Sequence, residues 1–92
     1  MQWEKSAVDK LDELLQVVRD PFRGIIKSNA QAHTEQYAIV RGTPHISQKE
    51  AVLGFLRARS HKLNQEAQML LAEFNMTEAD FIKYPTTPFQ NL

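Results

Sequence analysis

An all-α fold follows from three features of the sequence: apolar residues recur at steps of three and four, helix-start and helix-stop residues punctuate those runs, and turn formers are scarce. The chain has 92 residues, with only three glycines and four prolines. That is room for one hydrophobic core and few turns, which favours a small helical bundle over a sandwich. We expect three main helices at about 3–18, 21–40 and 48–74, and a short C-terminal helix at about 78–83. One helical domain over 1–84 and a flexible tail over 85–92 complete the expected layout.

In the first helix Trp3, Ala7, Leu11, Leu14, Leu15 and Val18 fall on one face. Asp20-Pro21 then opens the second, because Asp can cap free N–H groups and Pro needs no N–H at a first helical position. Phe22, Ile25, Ile26, Ala30, His33 and Tyr37 read as its buried stripe, and Gly24 as a place where another helix could approach closely. Gly42 ends it in a left-handed turn, with Pro44 preventing continuation. Ala38-Ile39-Val40, the one β-flavoured patch, reads as a fraying helix end, so no strand is expected.

Ser47-Gln48-Lys49-Glu50 fits a capping box and starts the third helix. Val52, Phe55, Leu56, Leu63, Ala67, Leu70, Leu71 and Phe74 continue it at mostly helical spacing. One long helix is the first expectation, and two helices broken near Ser60 the alternative. Asn75 suits a left-handed terminator. Thr77 with Asp80 then caps the last helix, and Met76 against Phe81 forms a hydrophobic staple. The expected core combines Trp3, Leu11, Ile25, Ile26, Tyr37, Phe55, Leu63 and Leu70.

The chain has no cysteine, which excludes disulfides, thiol catalysis and Cys-based metal ligation by its own residues. No apolar run reaches the ~20 residues that span a bilayer. The N-terminal MQWEKSAVDK lacks the apolar core of a signal peptide, so a cytoplasmic protein is expected. His33, His45 and His61 include no i, i+4 pair, so no metal site is expected. Asp9, Asp12 and Glu13 read as a solvated helix face, and no motif organises a nucleophile or a phosphate loop. No catalytic residue and no cofactor are expected.

Charge is balanced overall but not along the chain. Residues 1–20 carry three bases and five acids, 21–62 seven bases and two acids, and 63–92 one base and four acids. Arg19, Arg23 and Lys27 line one edge at steps of four, and Arg57, Arg59 and Lys62 cluster further on. They are either a surface for an anionic partner such as nucleic acid, or internal partners of the acidic ends. The connection RGTPHIS is longer than a DNA-reading helix-turn-helix uses. Protein contact is the first expectation, with Trp3, Leu70 and Phe74 as docking residues. A homodimer along 60–74 is a further option if that long apolar helix lacks cover.

Trp3-x3-Ala7-x3-Leu11, Val18-Arg19, Phe22-Arg23, Ile26, Ala30, Ile46-Ser47 and Ala51 together resemble the small C-terminal domain of light-independent protochlorophyllide reductase. The resemblance spans residues 3 to about 55 and implies a compact helical module of tetrapyrrole or photosynthetic metabolism. It differs at Lys27, where the family has Glu, and in Pro21, which follows the Val-Arg step rather than preceding it. No reductase chemistry is implied for this chain. It would act as an interaction or regulatory module, or as an accessory chain completing another enzyme's site.

Overall fold

The computed structural model describes residues 2–59 and 63–83. Five helices and a minimal two-stranded parallel sheet follow in the order β1 (Gln2–Trp3), α1 (Lys5–Leu15), α2 (Phe22–Arg41), β2 (His45–Ile46), α3 (Gln48–Arg59), α4 (Gln65–Glu73) and α5 (Glu78–Ile82). The expected small helical bundle is therefore what forms. Lys62 and the tail at 85–92 lie outside the described residues.

The bundle is organised around α3, whose residues Glu50, Ala51, Val52, Leu53, Gly54 and Phe55 are consecutively buried. A helix buried all round shows no apolar stripe, because every face has a neighbour. On one side α1 and α2 supply Ala7, Leu11, Leu15 and Ala30 to a cluster with Ala51 and Phe55. On another, Tyr37, Leu71, Met76 and Phe81 pack around Val52 and Leu53. α2 crosses α3 closely at Gly54. A Cβ added to Gly54 would lie 2.6 Å from the Ala30 carbonyl oxygen and 2.7 Å from the Thr34 nitrogen, so only glycine admits this approach. Gly24, the expected close-approach residue, has nothing within 4 Å of such a Cβ.

Several local signals act as the sequence predicts. Gly42 takes φ 68°, and the N–H groups of Gly42 and Thr43 donate to Ile39 and Ala38, a Schellman termination of α2. Asn75, at φ 59°, closes α4 in the same way, with Asn75 and Met76 donating to Ala72 and Leu71. Met76 and Phe81 are both buried in one cluster, as a staple requires.

Other expectations are overturned. The long third helix is two, because Asn64 starts α4 anew by accepting the Ala67 N–H at 2.8 Å. Leu63, Leu70 and Phe74 then pack against the core beside buried Ala67 and Leu71. Among the described residues of the stretch 60–74, on which the expected dimer rests, Leu63, Leu70 and Phe74 are thus half-buried while Met69 is 63% exposed. Trp3 is not helical. It sits in β1 opposite Ile46, and the Glu4 N–H continues the pairing to the Ile46 carbonyl at 2.9 Å. Asp20 does not cap α2; Pro21 occupies the cap position, after a cis peptide bond. The joint is held instead by Arg23, whose Nε donates to the carbonyls of Leu15 and Val18 at 3.1 and 3.0 Å.

Candidate interaction surface

The middle stretch of sequence carries two apolar stripes on α2, not one. Ile26, Ala30, Thr34, Tyr37 and Ala38 turn toward the core. Phe22, Ile25 and Ile39 turn away from it, at 61%, 61% and 57% exposure. Ile25 therefore leaves the expected core and Phe22 the expected buried stripe. Helical geometry explains the split: at about 100° per residue, positions 22, 25, 29, 32, 36 and 39 share a face well rotated from 30, 34, 37 and 38. Pooling the apolar residues of both faces gives a broad band that looks like one.

The expected basic surface is occupied at home in part, at Arg23 and Arg57, while Arg19, Lys27 and Arg59 are exposed. Arg57 donates from Nε to the Tyr37 hydroxyl at 3.2 Å and from Nη2 to the Phe81 carbonyl at 3.0 Å, and its guanidinium stacks 4.3 Å from the Phe81 ring centre. The Tyr37 hydroxyl donates to the same carbonyl at 2.6 Å. The end of α5 is thereby locked to α2 and α3. Arg23 binds the carbonyls at the end of α1, and Arg59 lies 5.7 Å from the Phe55 ring centre. Lys27 reaches Asp12 at 3.9 Å, a solvent-screened pair of small energetic weight. Arg19 is exposed. The two basic segments thus meet carbonyls and aromatic rings more than the acids that charge counting suggests as partners.

A second polar centre is not marked as a unit by the sequence. Glu50 is 1% exposed, and its Oε1 accepts from the Ser47 N–H and hydroxyl at 2.8 and 2.6 Å. Its Oε2 lies 2.8 Å from Arg41 Nε, an ion pair whose N–H is not aligned for a hydrogen bond. Arg41 Nη1 donates to Asp80 Oδ1 at 3.3 Å, while Asp80 Oδ2 accepts the Thr77 N–H at 2.9 Å. The start of α3, the end of α2 and the start of α5 are therefore joined by one chain of charges. The capping-box signal at Ser47 identifies the first link, but nothing local points to Arg41.

Asp80 titrates below its ordinary value of 3.8, chiefly because the Thr77 N–H binds the carboxylate; partial burial opposes this and Arg41 reinforces it. A carboxyl depressed on folding adds stability above its unfolded pKa and loses it as the pH falls through the lower folded value. Asp80→Asn is thus expected to flatten the stability loss below about pH 4 that the wild type shows, read from urea midpoints across pH.

Among the docking candidates, Trp3 is half-buried and turns its indole N–H toward Glu35 Oε2 at 3.4 Å, and Leu70 and Phe74 are half-buried against the core. Phe74 also carries Lys10 at 5.3 Å from its ring centre. A shallow groove of about 340 Å³ runs between the end of α1, the end of α3 and α4, lined by Leu14, Val17, Phe55, Leu63 and Leu70. Among the described residues no group of three or more His, Asp or Glu is placed to hold a metal ion. Nor is any helix among them long and apolar enough to cross a membrane. No family model matches the chain, and no curated protein or solved structure does either. The class that fold and surface define is a small all-α domain with exposed apolar residues aligned on the outer face of α2.

Proposed function

We propose that this chain is a non-enzymatic protein-interaction module whose contact surface is the outer face of α2. One observation carries the reading: Phe22, Ile25 and Ile39 stand in water on a single helix face. Isolated exposed apolar residues are ordinary, but an aligned set along the longest helix is what a helix-docking surface offers a partner. The partner chemistry that fits is another uncharged helix ridge, since the stripe carries no charge but includes the amides Asn29 and Gln36. A tetrapyrrole or photosynthetic setting is supported by the sequence resemblance alone. The nucleic-acid alternative has less support, because Arg23 and Arg57 are held by hydrogen bonds inside the domain.

The test uses a photo-activatable residue at Ala32, on the stripe, or at Gln31, beside it, in the living cell. Protein adducts from Ala32 and not from Gln31 are expected. Equal yields from both positions, or none from Ala32, refute the proposal.

A further inference from the structure

Resting on that reading, we infer that the outer face of α2 pairs with the same face of a second copy of this chain, the two helices running side by side and parallel.

The spacing is the first ground. Phe22, Ile25, Asn29, Ala32, Gln36 and Ile39 follow one another at intervals of three, four, three, four and three. That is the spacing of a coiled-coil a/d seam, with Phe22, Ile25, Ala32 and Ile39 as its apolar members. Five of these six residues are exposed and Gln36 is half-buried, so the seam is not consumed by the domain itself. At about 1.5 Å per residue α2 is about 30 Å long. The domain measures 31 × 31 × 29 Å, so the stripe runs nearly the length of the molecule.

The two amides decide what the occupant is. Asn29 and Gln36 sit at successive a positions, where an unrelated apolar ridge would leave them unpaired and desolvated. A side-chain amide both donates and accepts, so its own copy is a complete partner for it. Parallel pairing about a two-fold axis sets Asn29 against Asn29, Gln36 against Gln36 and Ile25 against Ile25. Antiparallel pairing sets the amides against Ala32 and Ile25 instead, which is why the parallel arrangement is assigned. A buried Asn at one a position is a known device for fixing register and a two-stranded state. Ala32 at the centre lets the backbones approach. The one charged residue at a flanking position, Glu35, would face Val40 of the partner, so no like charges oppose each other.

Size sets the strength. A ridge about 30 Å by about 10 Å offers roughly 300 Å² per copy, against about 800 Å² for a standard stable interface. The pair is therefore weak and forms only on concentration.

The absence of cysteine makes the test clean. Ala32→Cys is expected to form an intermolecular disulfide under mild oxidation, since residue 32 meets itself at the axis, while Gln31→Cys is not. Sedimentation equilibrium of the wild type should show a monomer–dimer equilibrium, weakened about tenfold or more by Ile25→Glu, which sets two carboxylates face to face. Circular dichroism of Ile25→Glu should match wild type, because Ile25 is 61% exposed in the monomer. A wild type that stays monomeric at 1 mM, or equal cross-linking from residues 31 and 32, overturns the inference. Adducts in the cell from Ala32 to a different protein, with none to this chain, overturn the second copy while leaving the interaction module standing.

Discussion

Gly54→Ala is expected to destabilise the domain by about 3 kcal/mol, although alanine is the better helix former by about 1 kcal/mol. The new Cβ would meet the Ala30 carbonyl oxygen at 2.6 Å and the Thr34 nitrogen at 2.7 Å, both backbone atoms of α2 that no rotamer change can move. The two helices would have to part, and Val52, Leu53 and Phe55 would lose contacts along with them. Gly24→Ala is the matching control, with nothing within 4 Å of its Cβ, and should gain about 0.5–1 kcal/mol. Urea unfolding of the two variants should therefore shift in opposite directions. A Gly54→Ala midpoint equal to wild type would mean that α2 and α3 do not cross this closely.

The second large effect is expected at Glu50. Glu50→Ala removes the acceptor for the Ser47 N–H and hydroxyl and leaves Arg41 beside a cavity. Loss of one member of a buried ion pair costs about 3–5 kcal/mol. The lower end applies, because Arg41 keeps 26% of its side chain in water and retains Asp80. An apolar pair of similar volume avoids the stranded charge, so Arg41→Met with Glu50→Leu should recover most of the loss. Recovery will be incomplete, since Asp80 then loses its cation. A double variant no more stable than Glu50→Ala would show that the cost lies in the lost Ser47 hydrogen bonds and not in the stranded charge.

The sequence is legible where a structure is decided within a few residues. Gly42, Asn75 and the Met76–Phe81 staple act over four to six positions, and their residue types have one physical use there. It is illegible where a distant partner decides. Gly54 is marked only by the approach of Ala30 and Thr34, some twenty residues earlier. Arg23 and Arg57 bind backbone carbonyls, which every residue possesses, so no residue type announces the partner. Trp3 reads as the first turn of a helix until Ile46 pairs with it. On α2 the error is one of phase: Ile25 and Ile26 are adjacent in sequence but face opposite environments. The candidate surface thus emerges partly from Phe22 and Ile25, which the pattern places in the buried stripe.

Trp3 has an optical use. It is the chain's one tryptophan, and it sits in β1 with its indole N–H directed at Glu35 of α2. Its emission therefore reports the seating of the first strand beside the α2–α3 connection, and little else. Far-ultraviolet dichroism, by contrast, averages over all five helices. The two signals watch different parts of one small molecule, so the superposition of their unfolding curves is a direct measure of whether this domain melts as a unit. The fold supplies that reporter without any label.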